Sequence, residues 1–288
     1  MKKLVLFLLL ALFVTACGDP AVDVQEVEYR PRITVEAYVY PGEQIKDIVL
    51  TRNFELEQPI DTAAILLLPN VNQVNATING VPLVFDPSTF TYYTNIIGDY
   101  NTSYELKVSA RIDGIDLETS AVTTTPSPGF DLLDNDLGDL IYRENPANIK
   151  FTPSPGTDFY AFSIRAENAT LDNFIYDNPF IPDLTREDLE DTFNDFRYQY
   201  NLLINVDSYS SVPLEYEVLG LDTWFYSNYS VIVYAGDKNF KDFVLTAKQV
   251  QQPDGNFIEP AFHLEGDGIG VFASAVRDTL TFNLLQNN

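Results

Sequence analysis

The chain has 288 residues and a formal net charge of −25. This length suffices for one large domain or two ordinary ones, and the negative charge argues against nucleic acid as a partner because it repels phosphate backbones. The single Cys and the single His exclude a disulfide framework and most Ser-His-Asp or His-clustered metal sites. We therefore expect no cofactor, no nucleic-acid partner and no enzymatic activity.

Residues 1–16 have the order of segments that is typical of a secretory signal peptide. Lys2 and Lys3 precede an apolar run from Leu4 to Val14, and Val14-Thr15-Ala16-Cys17 follows it. The run of about eleven residues is too short to span a hydrocarbon core of about 30 Å. Its last four residues resemble a bacterial lipobox, which implies cleavage before Cys17 and acylation of the thiol. An ordinary signal peptide with a chance Cys is the alternative.

Residues 17–30 are polar and acidic without periodicity, which predicts a tether between the acyl chains and the folded protein. More than one acyl chain is needed for stable anchoring. We expect the chain to be held at the outer membrane by lipid on Cys17, and the sequence leaves open whether it faces the cell surface or the periplasm.

The first half of the mature chain is predicted to be β-structure. Apolar residues alternate with polar ones from Ile33 to Tyr40 and again from Tyr104 to Ile112, which is the period of a half-buried strand. Asn79-Gly80 and Asp113-Gly114 have the composition of two-residue hairpin turns. Short strands with such turns favour an immunoglobulin-like or fibronectin-like β-sandwich that ends at residue 126.

The second half adds helices to strands. Thr185-Arg186-Glu187-Asp188 has the form of a capping box and predicts a helix over residues 185–200. Asp237 is placed to cap a second helix over residues 237–251, and Val271 to Leu284 reads as a final strand. The fold class is therefore mainly β, with two β-sandwich domains. Their predicted extents are 31–126 for the N-terminal β-sandwich and 127–288 for the C-terminal β-sandwich with helical insertions.

The end of the chain resembles a known family. Four stretches follow one another in the order of a strand, a helix, a loop and a Gly-rich strand. They are Val231–Tyr234, Asp237–Phe243, Gly255–Pro260 and Gly266–Phe272. This order is similar to that of the domain of unknown function 4249 family of Bacteroidota lipoproteins, and Tyr104–Val108 agrees with a strand of its first domain. The resemblance implies an outer-membrane lipoprotein, often encoded beside TonB-dependent transporters, with no assigned reaction.

Trp224, Tyr226 and Tyr229 form an aromatic-rich segment between two predicted strands. Exposed aromatic rings stack on sugars or anchor protein partners, so these three residues are the candidate binding site. The alternative is that the rings pack in the core of the second sandwich.

Two further patterns have some features of ligand sites. Asp134, Asp136 and Asp139 offer the oxygen ligands that Ca²⁺ prefers, but they do not meet the EF-hand pattern, and a solvated acidic linker is the alternative. The glycines of Gly266-Asp267-Gly268-Ile269-Gly270 precede a strand. A phosphate loop requires a helix after it, so this run predicts a tight turn or bulge.

Two functions are compatible with these patterns. The first is a membrane-anchored, non-enzymatic accessory or binding subunit of a TonB-dependent outer-membrane transporter. The second is a glycan-binding or adhesive surface lipoprotein that acts without a transporter.

Overall fold

The computed structural model describes residues 29–55, 64–180, 185–207, 210–247 and 260–287. Pro31–Phe54 and the described residues from 64 onward belong to one compact unit, whereas Tyr29, Arg30 and Glu55 belong to a second unit. The large unit is mainly β, as the sequence predicted. Cys17, most of the tether, the end of the second predicted helix and most of the Gly255–Pro260 loop lie outside the described residues.

Seventeen strands and three helices are present in the described part of the chain, besides short 3₁₀ turns. The strands of the first half are β1 (Ile33–Val39), β2 (Val49–Arg52), β3 (Asn75–Ile78), β4 (Val81–Pro82), β5 (Val84–Asp86), β6 (Thr91–Tyr93), β7 (Ser103–Ile112) and β8 (Ile115–Thr124). Those of the second half are β9 (Asp131–Leu132), β10 (Asp136–Ile141), β11 (Ala147–Thr152), β12 (Phe159–Ala166), β13 (Tyr198–Ile204), β14 (Leu214–Val218), β15 (Asn228–Gly236), β16 (Leu264–Gly266) and β17 (Gly268–Leu285). The helices are α1 (Pro69–Asn72), α2 (Arg186–Arg197) and α3 (Lys238–Ala247).

The first sandwich packs two sheets around the side chains that the alternation predicted. β1 and β2 lie on one side, and a sheet of order β16-β8-β7-β3-β4 lies on the other. Every second residue of β7 is buried from Tyr104 to Ile112, and β1 buries Ile33 through Val39 in the same way. The two sets belong to one hydrophobic cluster. Full burial of each such aliphatic side chain contributes about 1.5–3 kcal/mol, so this cluster holds the two sheets together.

Both predicted hairpin turns are confirmed. Asn79 and Gly80 have φ values of 50° and 77°, and Asp113 and Gly114 have φ values of 53° and 80°. Positive φ at both central residues is the geometry of a type I′ turn, which Asn-Gly and Asp-Gly adopt at low cost. The turns connect β3 to β4 and β7 to β8.

The second sandwich is built from β13-β12-β15-β17 on one side and β14-β11-β9 on the other. Ile149 and Phe151 of β11 lie in the same cluster as Phe162 of β12 and Leu280 of β17. Rings are numerous here, and Phe151 stands 4.9 Å from Tyr160 between ring centroids. The two packed sheets confirm the predicted sandwich.

The long strand β17 joins the two sandwiches. Its first half pairs in parallel with β1, and its second half pairs with β15 and, on the other side, β10. Phe272 belongs to the first core, whereas Leu280 and Phe282 belong to the second. One seven-stranded sheet therefore runs through both sandwiches. The predicted domain division at residue 126 stays a prediction. β17 lies wholly within the predicted C-terminal domain, and its residues belong to both cores.

The Gly-rich run 266–270 turns the chain from one sheet of the first sandwich to the other. Gly266 ends β16, which pairs with β8, and Gly268 begins β17, which pairs with β1. A Cβ on Gly270 would lie 2.0 Å from the carbonyl oxygen of Val35, so no larger residue fits without a backbone shift. The run is a tight corner that leads into a strand, as predicted.

The two predicted helices are present with one correction. Thr185 caps α2, its Oγ1 accepting from the Asp188 N–H, and α2 ends at Arg197 and not at residue 200. Residues 198–200 are the start of β13 because Tyr198 pairs with Arg165 of β12, and this pairing outweighs the helical spacing of Tyr200. Asp237 caps α3 as predicted, since its Oδ1 accepts a 2.9 Å hydrogen bond from the Phe240 N–H. None of the helices described is long and apolar enough to cross a membrane.

Candidate functional site

The prediction that Trp224, Tyr226 and Tyr229 form an exposed binding site is wrong, because these side chains are buried or half-buried. Trp224 and Tyr229 are 5% and 2% exposed, and Tyr226 is half-buried against Tyr142 with ring centroids 5.8 Å apart. The Trp224 ring packs against Phe174 and Phe196. These rings therefore fill the core of the second sandwich, which is the alternative interpretation of the segment.

Tyr229 explains why this segment is held inside. Its hydroxyl accepts hydrogen bonds from the N–H groups of Trp224 and Phe225, at 3.0 and 2.9 Å, and donates to the Phe225 carbonyl at 3.0 Å. A phenol has one donor and two acceptor lone pairs, so this hydroxyl is fully used. Burial raises the pKa of Tyr229 far above its usual value. Tyr229 therefore stabilises the turn before β15 through these hydrogen bonds.

The calcium candidates are not brought together. Among the residues described, no three or more acidic, His or Cys side chains form a group that could hold a metal ion. Asp136 accepts from the N–H of Gly138 at 2.9 Å, and Asp139 accepts from the Asn283 amide at 3.0 Å. These two carboxylates are therefore used locally along β10, and Asp134 is simply exposed.

A different aromatic surface emerges on the outer face of the long sheet. Side chains on a strand alternate between the two faces, so the strand register identifies the outward set. One row across the sheet is Leu202, Ala161, Tyr234 and Arg277, and the next is Tyr200, Ser163, Ile232 and Thr279. We call the outward residues Tyr198, Tyr200, Ile232, Tyr234 and Tyr40 the tyrosine face.

The tyrosine face is a shallow trough. Ala161 and Ser163 of β12 are small, and they lie between the larger outward residues of β13 and β15. Tyr198 and Tyr200 are 48% and 39% exposed on the β13 side. α3 covers only one end of the face, where Phe240 lies 5.7 Å from Tyr234 between ring centroids. At that end Leu202, Ala161 and Tyr234 pack with α3 in one hydrophobic cluster, so the exposed part of the face is the side of Tyr198 and Tyr200.

Arg277 organises the other side of the trough. Its guanidinium stacks 3.8 Å from the centroid of Tyr40 and forms two hydrogen bonds with Glu43, at 3.0 and 2.6 Å. Tyr40 and Tyr234 lie 6.4 Å apart between centroids. Burial, with the neighbouring Tyr234, raises the pKa of Tyr40 well above its usual value, and Arg277 opposes the rise. Burial also raises the pKa of Tyr234, so Tyr40 and Tyr234 are neutral at physiological pH.

Guanidinium groups also flank the exposed edge. Arg165 and Arg197 lie 5.7 and 5.3 Å from the centroid of Tyr198, and Arg165 pairs with Glu167 at 3.0 Å. The cations of this face are thus paired or stacked, and its apolar rings are framed by hydrogen-bonding groups. Such a surface suits an uncharged, partly apolar ligand or a protein partner.

Sequence reasoning missed this face for two reasons. Tyr200 fits the helical spacing of Leu189, Phe193 and Phe196, and only its pairing with Ser163 shows that it belongs to a strand. Tyr234 and Arg277 are far apart in the sequence and meet only through the β15–β17 register. The available signal was the outward position of Tyr38 in β1, where an aromatic residue stands on the polar side of the alternation.

Comparison with known proteins adds no family. No family model and no curated protein sequence matches the chain. Among solved structures, the chain aligns with titin A168–A169 at 12% identity and a TM-score of 0.20, over 90% of this chain and 98% of that one. It aligns with domains 4 and 5 of the S-layer protein SbsC at 10% identity and a TM-score of 0.20, covering 89% and 98%.

A membrane-anchored protein of Corynebacterium diphtheriae aligns at 12% identity and a TM-score of 0.19, over 85% of this chain and 58% of that one. At these TM-scores the alignments carry no argument about function. The fold stands on the strand pairing and the two buried cores described above.

Proposed function

We propose that the chain is an outer-membrane lipoprotein, anchored through Cys17, that acts as a non-enzymatic accessory or binding subunit of a TonB-dependent transporter. The tyrosine face is its contact surface. The observation that carries the proposal is the pair of exposed rings, Tyr198 and Tyr200, on one side of a face whose other side holds the Arg277–Tyr40 stack.

The anchor supports this role through concentration. The N-terminal segment has the features of a lipoprotein signal peptide: Lys2 and Lys3, an apolar run to Val14, and small residues before Cys17. A lipid-anchored protein is confined to a thin layer at the membrane, which raises its effective concentration for a neighbour in the same membrane. Mass spectrometry of the mature N-terminus tests the anchor: we expect an acylated Cys17, and an unmodified thiol or cleavage elsewhere overturns it.

The chemistry of the face supports a protein partner. Tyrosine is enriched at interfaces because it offers a large contact area with a polar tip and few rotatable bonds. Arg277 and Arg165 are already paired with Glu43 and Glu167, so burying these two arginines leaves neither of them as an unpaired charge. The resemblance to lipoproteins encoded beside transporters names the partner class.

Co-purification from detergent-solubilised outer membranes tests the role. We expect the wild type to retain a transporter, and the double variant Tyr198→Ser/Tyr200→Ser to lose it with an almost unchanged unfolding midpoint. Tyr100→Ser is the matched control, since Tyr100 is 42% exposed and lies outside the face. If the wild type retains no membrane protein, the accessory role is wrong. If the control loses the partner equally, the face is not the contact surface.

The second candidate is a glycan-binding or adhesive lipoprotein that works without a transporter. The observation that favours it is the Tyr198 ring, which is 48% exposed and flanked by the guanidinium groups of Arg165 and Arg197. An exposed ring stacks on the apolar face of a sugar while neighbouring donors bind its hydroxyl groups. Binding of a neutral glucan by the purified protein, weakened by Tyr198→Ser/Tyr200→Ser and not by Tyr100→Ser, would select this function.

A further inference from the structure

A cavity of about 310 Å³ lies at one end of the second sandwich, between its two sheets. Both sheets contribute apolar side chains to its lining: Leu140, Phe282 and Leu284 on the side of β10 and β17, and Ala147 and Val218 on the side of β11 and β14. All but Leu140 belong to the buried core, and Leu140 packs against that core. Pockets that bind small molecules have volumes of about 300–1,000 Å³ and a mainly apolar lining. The cavity therefore has the size and the floor of a ligand site.

A buried asparagine builds the mouth of this cavity. Asn178 is 3% exposed, its Oδ1 accepts from the Phe180 N–H at 3.2 Å, and its Nδ2 donates to the Gly220 carbonyl at 3.0 Å. Phe180 and Gly220 both line the cavity, and a Cβ on Gly220 would lie 3.5 Å from the Phe180 ring. The Phe180 ring itself is 56% exposed. The mouth is thus formed before any ligand arrives, and it presents an aromatic ring to solvent.

The rim of the cavity carries two charged residues in different situations. Arg143 is engaged, because its Nη2 lies 3.4 Å from Oδ2 of Asp177 and its guanidinium lies 4.9 Å from the centroid of the Tyr142 ring. The side chain of Glu217 forms no ion pair or hydrogen bond with any residue that the structure describes. Since Arg143 and Asp177 neutralise each other, the uncompensated charge at the rim is the carboxylate of Glu217. The net charge of −25 on the whole chain acts in the same direction and favours a cation.

We propose that this cavity binds a small amphiphilic amine, whose apolar body enters between the sheets and whose ammonium group lies at the rim beside Glu217 and Phe180. A carboxylate attracts an ammonium group directly, and the face of an exposed aromatic ring attracts it as well. A ligand with a carboxylate fits less well, because Arg143 is already paired with Asp177. The inference goes beyond the proposed function, since the cavity and the tyrosine face have no residue in common.

Three probes with the same phenethyl body and different charges test the site. At neutral pH phenethylamine is a cation, phenethyl alcohol is neutral and hydrocinnamate is an anion. Each is titrated calorimetrically into the mature lipoprotein in detergent, and its heat of transfer into protein-free micelles is subtracted. We expect the amine to bind at least about threefold more tightly than the alcohol, and the anion to bind more weakly than both. Equal affinities of the three probes, or no binding of the amine, overturn the proposal.

Removal of the rim charge supplies the second arm. Glu217→Gln should lower the affinity for phenethylamine to that for phenethyl alcohol and should leave the affinity for the alcohol unchanged. Glu215→Gln is the matched control, because Glu215 lies on the same strand, outside the cavity lining, and faces Lys150 at 4.0 Å. The control should change none of the three affinities. An equal loss of amine binding in both variants overturns the role of Glu217.

Changes in the apolar part of the cavity test its location. Ala147→Leu should fill the floor and abolish binding of the amine and the alcohol alike. Because a larger side chain can destabilise a packed core, Phe180→Ser provides a variant at an exposed position. It should weaken binding of the amine about threefold with an almost unchanged unfolding midpoint. Phe90→Ser is its control, since Phe90 is 53% exposed and lies outside the cavity.

The outcomes separate this site from the tyrosine face. Tyr198→Ser/Tyr200→Ser should leave the affinity for phenethylamine unchanged. If that double variant weakens amine binding as much as Phe180→Ser does, or if Phe90→Ser and Phe180→Ser have equal effects, the amine does not bind in the cavity and the inference is wrong.

Discussion

Thr123 of β8 donates a 2.5 Å hydrogen bond from its Oγ1 to Oδ2 of Asp237, which lies 114 positions later in the chain. Ser274 of β17 completes the contact, because its N–H donates to Oδ1 of Asp237 at 3.2 Å and its Oγ lies 3.1 Å from Oγ1 of Thr123. Thr123 and Ser274 are fully or almost fully buried. A strand of the first sandwich, the shared strand and the start of α3 thus meet at one carboxylate.

The first prediction concerns the pH dependence of stability. Burial raises the pKa of Asp237 above its ordinary value of 3.8, against hydrogen bonds from Thr123, Phe240 and Ser274 that lower it. The folded protein therefore binds this proton where the unfolded chain has lost it, and the contribution of Asp237 to stability falls as pH rises from 3.8 through its folded pKa. Asp237→Asn should match the wild type near pH 4 and gain stability relative to it by pH 7, in urea unfolding at each pH.

Asp242, in the same helix, provides a control of opposite sign. Although partial burial raises its pKa, hydrogen bonds from Lys238 and His263 leave the pKa lowered overall. Asp242 therefore contributes stability above pH 3.8 that is lost as pH falls through its folded pKa. Asp242→Asn should show a deficit at pH 7 that shrinks toward pH 3. Parallel pH profiles for the two variants would contradict this account.

The second prediction concerns the corner that leads into β17. Gly270→Ala should destabilise the protein by about 3 kcal/mol or more, because it combines positive-φ strain with an impossible contact. The φ of Gly270 is 110°, and the added Cβ would lie 2.0 Å from the Val35 carbonyl oxygen. Gly80→Ala is the control, since its φ is 77° but nothing lies within 4 Å. It should cost only about 1–2 kcal/mol, and equal losses would show that the contact does not matter.

The third prediction concerns the only Trp. Because Trp224 is packed between Phe174 and Phe196, Trp224→Ala should cost about 3–5 kcal/mol in chemical unfolding. The native fluorescence of the wild type should be blue-shifted, and iodide should quench it poorly. A red-shifted, readily quenched emission would restore the surface interpretation of the segment.

The fourth prediction concerns the Arg277–Tyr40 stack. Arg277→Lys keeps the charge but loses the planar stack and the paired hydrogen bonds to Glu43, so it should cost about 1 kcal/mol. Arg111→Lys is the control, because Arg111 makes a similar paired contact with Asp116 at a more exposed site. It should cost less than about 0.5 kcal/mol. Urea unfolding of both variants and of Tyr40→Leu/Arg277→Lys measures whether the stack accounts for the difference.

The sequence by itself determined the local structure. Several local features could be predicted from the sequence, because each depends on residues within a few positions of one another. They are the alternation in β1 and β7, the turns at Asn79-Gly80 and Asp113-Gly114, and the helix caps at Thr185 and Asp237. The mainly β class followed from these signals. The lipid anchor at Cys17 is likewise a local pattern, and it stays a prediction.

Only the tertiary structure decided which surfaces are exposed. Trp224 and Tyr200 are both aromatic residues in or beside strands, but one is enclosed by Phe174 and Phe196 and the other is 39% exposed. The C-terminal end of α2 also depended on a distant partner, because Tyr198 pairs with Arg165 of β12 and therefore belongs to β13. Burial and strand pairing are properties of contacts between residues far apart in the chain, and hydrophobic patterns record that a side chain is apolar, not what finally covers it.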